Sequence, residues 1–277
     1  MKVNRWKWLI HNAKLEIYEF SVDRRETYIA ENRYFPFYVM SYIKEGGASA
    51  ILNGVLYDTP AGHLVLIPSY TRHSHFIPEG RGPTTFLWWH FNITVGGLDL
   101  MKLIQFPITL QIQNAATFEE MFYSYMRFCT GSPSLPSIIY RRAKEYEIMA
   151  LLFENIIQCS DNQAEQLDEI PDVFFEMMTD IVEHPERNGS LEELSNRYYL
   201  NGTYISNRFK KLFGISPIRL HNQVVINHAK SMLRENESCT IGELAQSLGF
   251  RDVSNFTHFF TAREGCAPTD YRKKFYN

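Results

Sequence analysis

The C-terminal part of the sequence contains one pattern twice, at a constant spacing of 51 residues. Residues 205–217 and 256–268 match at the pairs Phe209/Phe260, Gly214/Gly265 and Pro217/Pro268. A short amphipathic stretch precedes each copy, at residues 191–195 and 241–245. Two short helices joined by a tight turn and then repeated can enter successive major grooves, about 34–36 Å apart on one face of DNA. The duplication therefore predicts a helical region with two DNA-reading units.

The charge distribution agrees with this prediction. The chain has 277 residues and a formal net charge of −3. From Asn196 onward there are 12 Lys and Arg against 6 Asp and Glu, a local charge of about +6. A basic end on a mildly acidic chain is typical of a DNA-binding domain attached to another domain. A solvated helical surface would have the same charge, so charge alone leaves both interpretations open.

Cysteine usage and the N-terminus indicate a cytoplasmic protein. The four cysteines are far apart, with neither the spacing of a zinc site nor that of a disulfide framework. No long apolar run follows Met1-Lys2, so a signal peptide is not expected. No stretch approaches the roughly 20 apolar residues that cross a bilayer, so no membrane partner is expected.

Residues 1–95 are rich in β-strand signals. The dipeptide Asn53-Gly54 separates the apolar runs 48–52 and 55–57, which is a strong hairpin signal because both turn residues tolerate positive φ. Further strands are expected over 38–43, 63–67 and 84–91. Short strands punctuated by Gly and Pro predict an antiparallel β barrel or a sandwich.

The period changes to helical after this region. Residues 117–128 predict a helix with Thr117 as its cap and Glu120 completing a capping box. Residues 137–157 predict a longer helix with an apolar stripe at Ile148, Leu151, Leu152 and Ile156. Such a stripe must be buried on the β domain or on the same helix of a second chain. We expect a homodimer through this helix.

The polar, acidic stretch after this helix predicts a linker. The expected organisation is an effector-binding and dimerisation domain over 1–158, a linker over 159–171 and a DNA-binding domain over 172–277. Helices are expected over 172–183, 191–199, 203–213, 217–234, 240–247 and 253–264, with a last turn near Tyr271. The whole chain is thus predicted to be a two-domain α+β protein.

The apolar stripes of the two reading helices determine which residues face outward. In the first unit Ile205, Phe209 and Leu212 point inward, and the outward set is Thr203, Tyr204, Ser206, Asn207, Lys210 and Lys211. In the second unit the outward set is Ser254, Asn255, Thr257 and His258. Hydroxyl and amide groups can bond base edges, whereas lysines bind phosphates. An all-helical packing domain with polar exteriors would explain either unit alone, but not the duplication.

These residues resemble a known family. Residues 241–260, IGELAQSLGFRDVSNFTHFF, continued by Gly265-Cys-Ala-Pro268 and Tyr271-Arg272, resemble the DNA-binding domain of AraC/XylS-type transcriptional regulators. The resemblance implies seven helices, two helix-turn-helix units and a connecting helix over 217–234. It also implies base contacts from Thr203, Ser206, Asn207, Ser254, Asn255, Thr257 and His258. Thr261 and Val225 stand where a basic residue is common, and Leu220 where an aromatic is common, which predicts weaker backbone contacts by the second unit.

The N-terminal half resembles the cupin-like sensor half of the same family, through Gly54, Pro60-Ala-Gly62, Ile67-Pro68 and His73. His73 and His75 alternate on one strand face, but Val65 stands where a metal-binding cupin needs histidine, so neither metal nor cofactor is expected. Trp88 and His90 lie on one side of their strand, and Trp89 and Phe91 on the other. An indole face and an imidazole suit a sugar. The predicted effector site comprises Trp88, His90, His73, His75 and Tyr42.

The leading interpretation is a non-enzymatic regulator, an activator that binds a double-stranded DNA operator and a small-molecule effector, plausibly a carbohydrate, and acts with RNA polymerase. Two alternatives remain open at this point. One is a cupin-type metal enzyme with an appended DNA-binding domain. The other is a constitutive regulator whose β domain only dimerises.

Overall fold

The computed structural model describes residues 2–159, 169–187 and 189–276. Its N-terminal part is built mainly from antiparallel sheets and its C-terminal part from helices, which confirms the two-part α+β prediction. The chain divides into two compact units. The β unit comprises Lys14–Ile93 and Ile104–Ala164, and the helical unit comprises Met1–Ala13, Thr94–Leu103 and Glu165–Asn277. Residues 160–168 of the predicted linker lie outside the described residues, and the predicted domain functions stay predictions.

The strands form two separate antiparallel sheets. In chain order the strands are β1 (Ala13–Arg25), β2 (Ile29–Arg33), β3 (Tyr38–Glu45), β4 (Gly47–Leu52), β5 (Val55–Pro60), β6 (His63–Ile67), β7 (His73–Phe76), β8 (Thr84–Val95), β9 (Leu98–Asp99) and β10 (Thr109–Gln111). One sheet has the order β1-β8-β3-β6-β10, with β9 paired to β8, and the other has the order β2-β7-β4-β5.

The predicted antiparallel β architecture is confirmed, but the described strands do not close into a barrel. The chain leaves one sheet for the other at Gly62, whose φ is 77° and whose N–H donates to the carbonyl of Ile43 at 2.8 Å. This hydrogen bond places β6 beside β3, where Leu64 faces Tyr42 in the ladder, and not beside β5. The consecutive strands β5 and β6 therefore belong to different, open sheets.

The predicted hairpin is confirmed. Leu52 pairs with Val55, and Asn53 and Gly54 have φ values of 52° and 82°. Both values are positive, as a two-residue turn of type I′ requires. The strand β1 was not predicted individually, and its apolar alternation changes phase at Ile17-Tyr18.

Two helices, α2 (Ala115–Thr130) and α3 (Leu135–Gln158), cover one face of the larger sheet. The buried Trp89 ring lies 5.8 Å from the Tyr125 ring of α2, edge to face. The predicted cap at Thr117 is wrong, because α2 begins two residues earlier, after Asn114. α3 begins after Ser134, which forms a capping box with Ser137.

The helical unit contains a helix that the sequence did not predict, α1 (Lys2–His11). The Arg5 guanidinium donates to the Ile170 carbonyl at 2.7 Å, and the Trp8 ring meets the Phe175 ring edge to face at 6.1 Å. The remaining helices are α4 (Asp172–Glu183), α5 (Leu191–Tyr198), α6 (Gly202–Phe213), α7 (Pro217–Glu235), α8 (Ile241–Ser247), α9 (Val253–Glu264) and α10 (Pro268–Tyr276). A short 3-10 helix, Leu100–Leu103, also belongs to this unit.

These bounds agree with the predicted helices to within about a residue, apart from α10, which is longer than the predicted turn. Pro217 and Pro268 each occupy the first position of a helix, where the missing N–H costs nothing. None of the helices in the described part of the chain combines the length and apolar composition needed to cross a bilayer.

Candidate nucleic-acid interface and ligand cavity

The first helix-turn-helix unit is α5, a short turn and α6. The Ser190 hydroxyl accepts from the Glu193 N–H at 3.2 Å and starts α5. Tyr199 then turns the chain in a left-handed conformation, and the Asn201 side chain starts α6 by accepting from the N–H of Thr203 at 2.9 Å. α6 ends at Gly214, whose φ is 72°. Local side-chain chemistry thus fixes both ends of the reading helix.

The predicted outward residues of α6 divide into two stripes. In an α-helix with 3.6 residues per turn, side chains spaced by three, four or seven residues lie on the same side of the helix. The first stripe is Thr203, Ser206, Asn207 and Lys210, and the second is Tyr204, Arg208 and Lys211. Thr203, Asn207 and Lys210 are exposed, and Ser206 is half-buried. Both stripes lie away from the buried Ile205, Phe209 and Phe213. The first stripe holds the hydroxyl and amide groups, so it is the better candidate for base contacts.

Tyr204 differs from the other predicted residues of α6. Its ring packs edge to face against Phe174 of α4, with centroids 5.9 Å apart, and half of the side chain stays exposed. Lys211 lies three residues after Arg208 on the same flank. The sequence prediction omitted Arg208, although it included Tyr204 and Lys211 of the same stripe, and their i, i+4, i+7 spacing was the available signal.

In the second unit, two of the predicted residues are engaged within their own helix. The Asn255 amide donates to the Asp252 carboxylate at 2.7 Å, and the same carboxylate accepts from the Asn255 N–H at 2.7 Å to cap α9. The Thr257 hydroxyl donates to the Val253 carbonyl at 2.8 Å. Ser254 and His258, four residues apart, are both exposed and lie opposite the buried Phe256 and Phe260.

Val253 is a further candidate that sequence reasoning missed. It is the first residue of α9 and its side chain is 43% exposed, although valine is usually buried. An apolar side chain at the start of a reading helix suits contact with a thymine methyl group. The sequence signal for this candidate was its position directly after the capping residue Asp252, at the start of the predicted reading helix.

The departures from the family pattern fall partly in the core. Leu220 and Val225 are both buried in α7, with 0% and 1% of their surface exposed, so they act in packing. Val225 joins the apolar cluster around Phe256 and Phe260. Only Thr261 among the three departures is exposed. Of the three positions, only Thr261 is placed where a missing basic residue could weaken contacts with the DNA backbone, because Leu220 and Val225 are buried.

The β unit contains a cavity of about 110 Å³. It is lined by the strands β1, β2, β3, β6, β7 and β8 and by Tyr28 and Phe35 on either side of β2. Its polar members are Glu19, Asp23, Arg25, Arg33, Ser41, His73, His75, Trp88 and His90. Four of the five residues predicted to bind an effector are therefore brought together here. The Trp88 indole donates to the Asp23 carboxylate at 3.0 Å, which fixes the ring in the wall of the cavity.

Burial keeps the cavity histidines neutral. It lowers the pKa of His75 to about 3 and that of His90 to about 4, and it also lowers the pKa of His73. His73 has its Nδ1 2.9 Å from the Thr71 carbonyl. His75 Nε2 and His90 Nδ1 are buried without a hydrogen-bond partner among the described protein groups, and the Glu19 carboxylate 3.4 Å from His90 Nδ1 is too distant for a strong bond.

The fifth predicted residue, Tyr42, does not line the cavity. It lies on the opposite face of β3, where its hydroxyl donates to Glu119 at 2.9 Å and its ring contacts Phe118, 5.2 Å between centroids. Trp89 likewise faces the helices, since it contacts Phe122 and Tyr125 of α2. The structure therefore assigns Trp88 to the cavity and Trp89 to the core.

The described residues contain no group of three or more His, Cys, Asp and Glu side chains that could hold a metal ion. In the cavity the His73 Nδ1 is occupied by a backbone carbonyl, and the phenyl ring of Phe35 lies 5.7 Å from His73 and 5.5 Å from His90. The Phe35 ring thus packs near both imidazoles.

Comparisons with known proteins agree with the helical geometry. Residues 194–274 match a family model described as a helix-turn-helix domain. YdiP of Escherichia coli (strain K12), an uncharacterized HTH-type transcriptional regulator, is 24% identical over 242 residues, which cover 85% of this chain and 78% of YdiP. The HTH-type transcriptional activator RhaS of Escherichia coli O81 (strain ED1a) is 20% identical over 245 residues, covering 86% of this chain and 85% of RhaS. A crystal structure of ToxT from Vibrio cholerae has a TM-score of 0.36 and 18% identity, covering 95% of this chain and all of ToxT.

The paired helix-turn-helix units and the named relatives define a DNA-binding transcriptional regulator. The family resemblance found in the sequence is confirmed by the matched domain and by the named relatives. The matched domain lies within the region of the chain that resembles the AraC/XylS-type transcriptional regulators.

Proposed function

We propose that this regulator activates transcription from a specific operator when a small, neutral, polar organic molecule, plausibly a sugar, binds in the cavity of the β unit. The proposal rests chiefly on two buried imidazole nitrogens, His75 Nε2 and His90 Nδ1, of residues that line this cavity. His75 Nε2 has no hydrogen-bond partner among the described groups, and His90 Nδ1 has only the Glu19 carboxylate at 3.4 Å. Leaving such groups unpaired costs about 1–3 kcal/mol each. A ligand that hydrogen-bonds both would recover that cost.

The chemistry of the cavity favours hydroxyl groups. A neutral imidazole donates from one nitrogen and accepts at the other, and a hydroxyl can meet either role. The Trp88 ring offers an apolar face, and the Asp23 and Glu19 carboxylates offer acceptors at the edge of the cavity. A sugar presents hydroxyls and an apolar C–H face together, which matches this set.

The mode of operator recognition follows from the two reading helices. We assign base contacts to the stripe of Thr203, Ser206 and Asn207 in α6 and to Ser254 and His258 in α9. Lys210 and Lys211 are assigned to phosphates. Asn255 and Thr257 are predicted to act mainly within α9, because their polar atoms are engaged there.

The remaining assignments extend from the relatives and the sequence. RhaS is named as an activator, and we propose the same direction here, with RNA polymerase as the protein partner, a homodimer as the active form and the cytoplasm as the location. We also propose that the two sheets enclosing the cavity are a variant of the cupin-like jelly roll, open along its edges.

The variants Asn207→Ala and Lys211→Ala distinguish sequence-specific binding from non-specific binding to the DNA backbone. We would select an operator from a randomised duplex library with the wild-type protein and titrate each variant against it and against a mixed-sequence duplex. Asn207→Ala should lose about 1–3 kcal/mol on the operator only, because an amide makes bidentate contacts with adenine. Lys211→Ala should weaken both duplexes and lower the salt slope by about 1.

Lys14→Ala is the matched control for lost charge. Lys14 is exposed in the β unit and pairs with Glu16 at 2.7 Å. It should bind both duplexes as the wild type does. Failure of the wild-type protein to enrich any sequence would overturn the proposed function, and an unchanged operator preference in Asn207→Ala would overturn the assigned reading face.

A further inference from the structure

A basic groove runs along one flank of the reading helix α6. It has a volume of about 580 Å³ and lies entirely within the helical unit. Its cations are Arg208 and Lys211 of α6 and Lys102 of the 3-10 helix Leu100–Leu103, and Leu103 and Leu212 contribute apolar lining. The groove therefore joins the reading helix to a lysine that is about 100 residues earlier in the chain.

The positive charge of this groove is largely uncompensated. Neither Arg208 nor Lys211 takes part in a salt bridge within the described ranges, whereas Lys102 lies 3.8 Å from Asp99 and keeps 49% of its side chain exposed. Glu169 is the carboxylate that lines the groove. Three cations against one lining carboxylate favour an anionic partner.

The position of Lys102 is set by the end of α6. Gly214 ends α6 with a φ of 72°, and a Cβ atom placed on it would lie 3.4 Å from Lys102 Cδ. The methylene stem of Lys102 therefore packs beside the helix terminus, while its ammonium group remains free to reach outward, as long cationic side chains commonly do. Lys102 thus extends the flank of Arg208 and Lys211 beyond the last turn of α6.

The stripe of α6 that is assigned to base edges lies next to this flank. A reading helix in the major groove has phosphate rows on both sides, and contacts to these rows fix its register. Cations on the flank of the helix are suitably placed for such a row. Because Arg208 and Lys211 are part of the reading helix itself, the anionic partner is the DNA backbone.

We propose that Lys102 is a DNA-contact residue outside the helix-turn-helix domain, whose ammonium group binds a backbone phosphate in the row beside Arg208 and Lys211. The matched domain covers residues 194–274 only, so this contact comes from the turn that follows β9. The inference rests on the proposed reading face of α6. It makes the segment 94–103 part of the DNA-binding surface.

Lys102→Met tests the contact, because methionine keeps the apolar stem and removes the charge. The probes are a mixed-sequence duplex of about 40 base pairs and the operator selected by the wild-type protein, titrated by fluorescence anisotropy across a range of salt. Loss of one phosphate contact should lower the slope of log affinity against log salt by about 0.9. At about 0.1 M salt the affinity should fall about 5- to 10-fold for both duplexes.

Lys102→Arg and Lys14→Met are the controls. Lys102→Arg keeps the charge and should bind within about twofold of the wild type, since a phosphate accepts either cation. Lys14→Met removes an exposed lysine from the β unit and should leave the salt slope unchanged. Circular dichroism melting of each full-length variant checks that the fold is intact.

Two results would overturn the inference. A wild-type salt slope in Lys102→Met would show that the ammonium group makes no phosphate contact. Equal weakening by Lys102→Met and Lys102→Arg without a change of slope would assign Lys102 to packing against α6. Either result would leave DNA binding by the wild-type protein intact, so failure here differs from failure of the proposed function.

Discussion

At the scale of the residue, the two helix-turn-helix turns place different residue types, Tyr199 and Gly249, in the same left-handed conformation. The two turns are equivalent, because the N–H of Leu200 bonds to the Ser195 carbonyl and that of Phe250 to the Ala245 carbonyl. Tyr199 and Gly249 have φ values of 53° and 78°. This region costs a residue with a Cβ roughly 1–2 kcal/mol, whereas glycine adopts it freely.

The surroundings of the two residues differ as well. The Tyr199 side chain is 93% exposed, so its ring gains little from packing. A Cβ on Gly249 would collide with the carbonyl oxygen of Glu186. Tyr199 therefore carries a conformational cost without compensating burial, and Gly249 is required both by φ and by space.

We expect opposite effects on stability from Tyr199→Gly and Gly249→Ala. Tyr199→Gly should raise the free energy of unfolding by about 0.5–1 kcal/mol, the relief of the left-handed conformation less the greater chain entropy of glycine. Gly249→Ala should lower it by more than about 1 kcal/mol, because strain and collision add. Urea unfolding followed by far-UV circular dichroism measures both.

Tyr199→Ala is the matched control, since it removes the ring but keeps the Cβ atom. It should leave the free energy of unfolding within about 0.5 kcal/mol of the wild type, as exposed substitutions usually do. A clear loss of stability in Tyr199→Gly would mean that the tyrosine ring makes stabilising contacts, contrary to its exposure.

At the scale of the element, the helix α3 has two apolar faces, one buried within the protomer and one exposed. The predicted dimerisation stripe is used within the protomer, since Ile148, Leu152 and Ile156 are fully buried and α3 packs along α2. Arg142 also ties α3 to β1, donating to the Leu15 carbonyl at 2.7 Å. The periodicity identified the buried face correctly but not the partner that covers it.

The exposed apolar residues of α3 lie in its first turns. Leu135, Ile138 and Ile139 share one face at i, i+3 and i+4, with 72%, 57% and 58% of their surfaces exposed. Large apolar side chains grouped on a surface commonly mark an interface. The homodimer therefore stays a prediction, but we now assign its contact to this face.

Sedimentation of the full chain tests this assignment. The wild type should be a dimer, and the double variant Ile138→Ser with Ile139→Ser should weaken dimerisation at least about 10-fold, because each buried isoleucine contributes about 1.5–3 kcal/mol. The control is Leu56→Ser, which removes an exposed apolar side chain from the edge strand β5. A monomeric wild type, or equal weakening by Leu56→Ser, would contradict the assignment.

At the scale of the whole molecule, the proposed function requires that effector binding change the affinity for DNA. A ligand shifts the DNA-binding state only through its differential affinity for two conformations. Coupling energies of about 1–3 kcal/mol are typical, which correspond to about 5- to 150-fold in operator affinity. Trp88 lines the cavity and Trp89 lies in the core, so two adjacent indoles provide a probe and its control.

We expect a sugar found by calorimetry to change the tryptophan fluorescence of the wild type and of Trp89→Phe, but not of Trp88→Phe. Operator affinity should then change within the range above when the same sugar is added. Binding of the sugar without any change of operator affinity would identify a constitutive regulator. Turnover of the sugar would instead support an enzyme.

Much of the helical unit was determined by the sequence alone, because its signals are local. Thr240 and Glu243 form a capping box that starts α8, and Pro217 and Pro268 start α7 and α10. Glycines at the ends of α6 and α9 adopt positive φ, where only glycine is unstrained. Each of these effects involves residues within one turn of a helix. Residues that are close in the sequence are then also close in the structure, so the sequence predicts the contact.

The functional surfaces depended on contacts that spacing does not encode. Alternation placed Trp88 and Trp89 on opposite faces, but only the packing of α2 on Trp89 decided which of them reaches the cavity. The Asn255 amide donates to the carboxylate that caps its own helix, a contact that the spacing of outward residues does not reveal. Lys102 lies beside α6 because the 3-10 helix that follows β9 packs there. Local hydrogen bonds set where elements begin and end, whereas the burial of their apolar faces against distant segments decides which side chains remain to bind a ligand.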